Sequence, residues 1–177
     1  MALIRTTTAD PASVAAAVES VDSSTWSADP STYTEAVLEQ YKLYVEMADR
    51  VSARRALANT FFLTLNSAVF VVFGVVWEHR PNTTAWWLLF PLIALVGECS
   101  AWYWMLRSYR QLNSAKYIVI GSIEKRLPLS PYWQAEWLAL GKGKEPSCYV
   151  PLTHMEQWVP ILFITTYIGS FLAAVIA

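Results

Sequence analysis

One carboxyl group lies where carboxyl groups are rarely tolerated. Glu98 is the single charged side chain in the stretch 85–105, Ala-Trp-Trp-Leu-Leu-Phe-Pro-Leu-Ile-Ala-Leu-Val-Gly-Glu-Cys-Ser-Ala-Trp-Tyr-Trp-Met. About 20 apolar or small residues at about 1.5 Å rise cover the hydrocarbon core of a bilayer, so this stretch reads as a membrane-spanning helix. An ionisable residue inside such a helix faces protein or water, because facing lipid would cost several kcal/mol. Two further spans are read at 59–77 and 157–177. In that frame Asn66, Glu98 and Thr165 each fall about seven residues, roughly 10 Å, from the same membrane face. Thr64, Ser67, Ser100 and Thr166 lie within a turn of them. The candidate intramembrane polar level is therefore Glu98, Asn66, Thr165, Thr166 and Ser100. Two kinds of chemistry suit it: hydrogen bonds that hold helix register, or a proton or cation site in a pathway.

A second group is cationic. Arg50, Arg54 and Arg55 precede the first span, and Arg107 and Arg110 follow the second. Guanidinium groups at the end of a span attract anionic lipid headgroups, each by about 1 kcal/mol, which is the first expectation; an acidic partner or a phosphorylated ligand is the alternative.

Other chemistries are poorly served. The chain has only two histidines, so no Ser/His/Asp or Cys/His grouping can be assembled. His79 and His154 fall on opposite sides of the membrane in this reading. Cys148 with His154 supplies two ligands where a structural zinc needs four, so no metal site and no cofactor is expected. Gly141-Lys142-Gly143-Lys144 lacks the spacing and the hydroxyl of a phosphate-binding loop. Pro128-Leu129-Ser130-Pro131 matches a PxxP pattern, yet a helix break followed by a cap explains it more simply. Asn82-Thr83-Thr84 fits a glycosylation triplet, which matters only in a eukaryotic secretory route. Cys99 and Cys148 are read as free thiols. A formal net charge of −1 supplies no field for nucleic acid. The chain is 55% hydrophobic, with nine tryptophans in 177 residues, a composition suited to lipid contact.

The elements that must position these groups follow from periodicity. Residues 1–32 form an arm too polar to build a core, with one short helix capped by Asp10 and opened by Pro11. From about Thr34, Val37, Tyr41, Tyr44, Ala48 and Val51 recur at helical spacing, with Glu39, Lys42, Glu46, Asp49 and Arg50 opposite. No Gly or Pro intervenes before Gly74, so this amphipathic helix runs into the first span as a rod of roughly 65 Å. Pro81 ends it in a polar turn. Trp86 and Trp87, with Trp102 and Trp104, flank the second span where indoles favour the headgroup region. Glu98 shares a face with Pro91, Ala94, Gly97 and Ala101, and the third span carries Thr165, Gly169 and Ala173, stripes that let helices approach.

Beyond the second span Leu106, Tyr109, Asn113, Tyr117, Ile120, Ile123 and Leu127 keep helical spacing to Pro128, with Gly121 a weak point. The two long helices thus predict an antiparallel hairpin projecting from the membrane. Ser130-Pro131 then caps a short aromatic helix with Tyr132, Trp133, Trp137 and Leu138, stopped by Gly141. Thr153-His154-Met155-Glu156 reads as a capping box opening the third span, with Pro160 in its first turn. The fold class is an all-α, three-span membrane protein with an N-terminal arm (1–32) and a membrane domain (33–177).

Orientation follows from the cations. Of 13 Lys and Arg, only Arg80 lies between the first two spans. The positive-inside bias puts the N-terminus and residues 107–156 in the cytoplasm and the C-terminus outside.

Four strings carry a resemblance: Glu39-Gln-Tyr-Lys-Leu-Tyr-Val-Glu-Met-Ala-Asp-Arg-Val-Ser-Ala-Arg-Arg55, Arg107-Ser-Tyr-Arg-Gln-Leu-Asn-Ser-Ala-Lys116, Ile123-Glu-Lys-Arg-Leu-Pro-Leu129 and Pro151-Leu-Thr-His-Met-Glu-Gln-Trp-Val-Pro160. Over about residues 34–165 the chain resembles the RipA family of small octameric bacterial inner-membrane proteins. The resemblance implies a bacterial inner-membrane protein assembled as a ring of eight, and brings no catalytic residues with it. The expected function is a non-enzymatic homo-oligomer serving as a membrane scaffold or a platform for a cytoplasmic protein partner, in contact with membrane lipids. The rival expectation is an ion- or proton-conducting pore lined at the Glu98 and Asn66 level.

Overall fold

The computed structural model describes residues 10–19, 30–78, 85–141 and 152–176, and all regular structure among them is helical. Helix α1 (Pro11–Glu19) starts as its sequence dictates. Asp10 Oδ1 accepts the Ala12 N–H at 3.2 Å, and Pro11 sits where a missing N–H leaves nothing unsatisfied. Helix α2 (Pro30–Glu78) is a single helix of 49 residues. It begins at Pro30 rather than near Thr34, again because proline fits the first turn, and Thr34 Oγ1 donates back to the Pro30 carbonyl at 2.9 Å. A 3-10 turn (Ala85–Leu88) leads into α3 (Leu89–Glu124). A π-helical turn (Pro131–Glu136) runs on into α4 (Trp137–Ala139), and α5 (Leu152–Ile176) completes the fold. Parts of α2, α3 and α5 are long and apolar enough to cross a membrane.

The described residues form two compact units. The first draws on Met1–Ser52 and Gln111–Val150, the second on Ala53–Arg110 and Pro151–Ala177. In each unit α2 and α3 run antiparallel. Tyr41 meets Glu124 and Ser52 meets Asn113 in the first, while Asn59 meets Trp102 and Asn66 meets Glu98 in the second.

In the first unit the expected amphipathic face is the packed one. Ala48 is buried and Val37, Tyr41, Tyr44 and Val51 are half-buried, whereas Glu39, Lys42, Glu46, Asp49 and Arg50 are exposed. On α3, Ile120 and Ile123 are buried, but Tyr117 stays exposed. Helix α3 ends at Glu124, short of Pro128. Its last carbonyls are taken by a tight turn, Arg126 N–H to Ile123 O and Leu127 N–H to Glu124 O, because a residue before proline disfavours helical dihedrals. Gly121 is a requirement of packing: a Cβ there would stand 2.5 Å from Trp133 Cδ2 and 2.8 Å from its Cγ. Gly141 stops α4 at a φ of 63°, as a C-terminal glycine does.

The second unit is built on an aromatic core of Trp102, Phe163 and Tyr167 with Cys99 and Leu106. Trp102 departs from the interfacial role expected of it. It is fully buried, stacked on Phe62 at 5.6 Å, and its Nε1–H donates to Asn59 Oδ1 at 3.1 Å, because an indole with a polar partner in reach is more stable in a core. Trp86 and Trp104 are exposed, as interfacial rings would be. Helix α5 already includes Leu152, so Thr153 lies within the helix rather than ahead of it, and Pro160 is interior rather than in the first turn. Proline is tolerated there because a buried contact offsets the lost hydrogen bond. The stripes Pro91, Ala94, Gly97, Ala101 and Thr165, Gly169, Ala173 face outward from the chain.

Gly121→Ala is expected to lose about 1–3 kcal/mol by overpacking against Trp133, only about 1 kcal/mol of which improved helix propensity returns. Unfolding in detergent followed by circular dichroism checks this. A raised midpoint would mean that no such close approach exists.

Candidate functional site

The polar groups gather in two clusters, one in each unit. In the second unit the centre is Asn66, which is wholly buried on α2. Its Nδ2 donates to Glu98 Oε1 at 3.1 Å and to the Phe62 carbonyl at 2.8 Å. Its Oδ1 accepts the Tyr167 hydroxyl at 2.8 Å and the Cys99 thiol at 3.3 Å. One carboxamide therefore joins α2, α3 and α5, using both donor hydrogens and both acceptor lone pairs. Glu98 and Asn66 come together as their depth suggested. Ser100, Thr165 and Thr166 do not join them: Ser100 Oγ donates to the Val96 carbonyl at 2.6 Å, and both threonine hydroxyls donate to the Leu162 carbonyl at 2.8 Å. Hydroxyls on a helix satisfy themselves on their own preceding turn when no interhelical acceptor is aimed at them.

Cys99 and Tyr167 are the members that depth alone did not reveal. Cys99 follows Glu98 directly, and Tyr167, the only tyrosine of the third span, follows Thr165 and Thr166 directly. Cys99 is a free, buried thiol. An amide at the centre separates the Tyr167 phenol from the Glu98 carboxyl. Amide nitrogen does not readily take up and pass on a proton, so the geometry is better suited to fastening helices than to relaying protons.

In the first unit the centre is Glu124, also buried. Its carboxylate accepts four hydrogen bonds: from Ser130 Oγ at 2.6 Å, Trp133 N–H at 2.9 Å, Tyr41 Oη at 3.0 Å and Tyr132 N–H at 3.1 Å. The helix that starts at Pro131 is thus capped by Glu124 from the end of α3. Ser130, the residue expected to cap, makes no side-chain cap bond and instead donates to the same carboxylate. A full negative charge is a stronger acceptor for two first-turn N–H groups than a hydroxyl, and it lies at the positive end of the helix. Burial alone would push the Glu124 carboxyl up, but the bonds from Ser130, Trp133, Tyr132 and Tyr41 outweigh it and hold the group below the usual carboxylate range. Burial, then the hydrogen bond to Glu124, raises the Tyr41 phenol. The sequence signal was present: an acidic residue at the last turn of a helix, where the dipole disfavours it, followed six residues later by Ser-Pro.

The five arginines are divided. Arg50 pairs with Glu46 at 2.7 Å on the first unit's part of α2. Arg54, Arg55, Arg107 and Arg110 belong to the second unit. Arg55 Nε lies 3.6 Å from Glu156 Oε2, and Arg110 Nη1 donates to Gln157 Oε1 at 3.5 Å, so α2 and α3 both send a cation to the start of α5. Arg107 stands over the Trp104 ring at 5.6 Å, and Arg54 is exposed. Among the described residues no three of His, Cys, Asp and Glu come together. His79, Arg80, Asn82-Thr83-Thr84, Lys142-Gly143-Lys144, Cys148 and the side chain of His154 lie outside the described residues.

Three long apolar helices tied by buried polar groups, with charged segments beyond them, define a multi-pass helical membrane protein. The model of the octameric membrane protein family (8xMP) matches residues 38–176, and the chain belongs to that family. Most of α2 and all of α3, α4 and α5 fall within the match, while α1 precedes it. No curated protein and no solved structure is matched by the chain.

Replacing Asn66 by Leu is expected to cost about 2–3 kcal/mol, since interhelical hydrogen bonds in membranes average about 0.6 kcal/mol and reach nearly 2. Thermal unfolding in detergent measures it, and an unchanged midpoint would show the amide to be dispensable. Glu124 gives a pH test. Its folded pKa lies below the unfolded value, so its contribution is complete above the unfolded pKa and is lost as pH falls through the folded one. Glu124→Gln should lower stability at neutral pH and flatten the acid limb of stability against pH. Parallel wild-type and variant curves would contradict this.

Proposed function

We propose that the chain is a non-enzymatic subunit of a homo-octamer in a bacterial inner membrane, acting as a scaffold or as a platform for a cytoplasmic protein partner. The observation that carries this reading is apolar surface exposed on both units. The second unit exposes Phe61, Val71, Phe90 and Leu162 on faces suited to lipid or to neighbouring copies. The first unit, rich in charge, still exposes Leu43 at 57%, Leu129 at 75% and Leu138 at 65%. Outside a bilayer such surface is stable only against protein. The small-residue stripes that face outward add surfaces over which helices of adjacent copies can close. The first unit lies in the cytoplasm, with the C-terminus outside, because the cations flank the spans on that side. Arg54, Arg107 and Arg110 then lie at the inner headgroup level beside Trp104, where they draw anionic lipid.

A conducting assembly is the second reading, favoured by one observation: Glu98 is only half-buried within a single chain. A continuous water-filled axis past Glu98 would suit it, and a lipid-filled or closed axis would suit the scaffold.

Native mass spectrometry from membranes should give eight copies, and proteoliposomes should show no ion or proton flux that Glu98→Gln alters. A flux abolished by that change would replace the scaffold with the pore. A reporter fused after Ala177 should be accessible from outside only. Arg54→Gln and Arg107→Gln should each lower the retention of anionic over zwitterionic lipid by roughly fivefold, equivalent to about 1 kcal/mol per cation. Equal retention would remove the lipid role.

A further inference from the structure

The first unit carries two apolar features on opposite sides of α3. One is the short helical segment that begins at Pro131. Its residues are not buried: Trp137 is 50% and Leu138 65% exposed, beside Trp133 and Tyr132. Yet the segment is firmly held, because Glu124 accepts two of its N–H groups and Trp133 lies directly against Gly121. A large apolar surface on a fixed support is a pre-organised contact rather than a loose loop.

The other feature is an open groove of about 730 Å³ between α1 and the pair α2 and α3. It is lined by Val14, Ala17 and Val18 of α1, Leu43 and Tyr44 of α2, and Ile123 of α3, with Val119 at its side. At about 100° per residue, Gly121 is turned roughly 160° from both Val119 and Ile123. The aromatic segment and the groove therefore lie on opposite faces of α3.

Membership of an octameric family and a single orientation in the membrane together decide what such a pair is for. Copies inserted the same way round cannot be related by a twofold axis in the membrane plane. Eight equivalent copies must then be related by rotation about the membrane normal, and each contact joins two different surfaces, one from each neighbour. A chain in such a ring needs a projecting face on one side and a receiving face on the other.

We infer that the aromatic face of Trp137 and Leu138 docks into the Val14, Ala17, Leu43 and Ile123 groove of the next copy of this chain, and that this head-to-tail contact closes the ring. The inference rests on the octameric reading above and deepens it by naming the surfaces. Both sides are mainly apolar, with Ser13 and Gln40 the polar members of the groove, and the exposed half of Trp137 would add roughly half of the 150–250 Å² that an aromatic side chain buries in full.

The test is intersubunit cross-linking in native membranes. The full chain carries Leu138→Cys with Leu43→Cys in a Cys148→Ser background, in which Cys99, the other remaining cysteine, is buried. A short bismaleimide should give a ladder of covalent multimers up to eight from the double variant and no ladder from either single variant. The same preparation is weighed by native mass spectrometry. If this pair does not assemble, Trp137→Cys with Ala17→Cys serves instead. An octamer that yields no ladder with an assembled pair, or links only within one chain, overturns the docking while leaving the octamer standing. A groove filled by the chain's own residues, by lipid or by another protein would give that result. A wild-type particle that is not octameric overturns the underlying reading, and the docking with it.

Discussion

An amide buried among apolar side chains must find partners inside the protein, because neither lipid nor a dry core supplies any. Asn66 meets that constraint with four hydrogen bonds drawn from three helices. Only one register of α2 against α3 and α5 satisfies it, so the aromatic stacking of Phe62 on Trp102 and of Phe70 on Tyr167 follows once the amide is satisfied. Apolar packing alone would be a weak guide to register, since Leu, Ile and Val slide past one another at little cost in hydrocarbon.

Glu124 applies the same rule in the other unit, with a charge in place of an amide. A buried carboxylate is costly unless its lone pairs are filled, and here two side chains and two backbone groups fill them. The consequence is architectural. The chain turns sharply after α3, and the next helix is positioned by a residue that precedes the turn. Gly121 completes the arrangement by leaving room for the Trp133 ring.

Both clusters fasten helices within one chain. Asn66 joins α2, α3 and α5, and Glu124 joins α2 and α3 to the segment that begins at Pro131. Large apolar side chains remain exposed on both units, among the charges of the first, as expected of a subunit that packs against further copies. Family membership supplies the matching statement about assembly.

Much of this was legible along the chain, for a definite reason. Spans, helix faces and the Asp10 cap depend on runs and periodicities within a few turns, which local composition determines. Depth in the membrane is likewise a count of residues, so Asn66 and Glu98 could be paired in advance. Whether a hydroxyl at that depth reaches across or turns back is not a count. Ser100, Thr165 and Thr166 turned back, and Tyr167 reached across, because helix rotation about its own axis is decided by packing. Trp102 became core instead of interface because Asn59 and Phe62 happened to face it. The cap on the Pro131 segment passed from Ser130 to Glu124 because the turn folded back on α3. Hydrophobic pattern determined which elements exist and where they start; three-dimensional packing decided which polar groups meet, since rotation and close approach leave no period in a sequence.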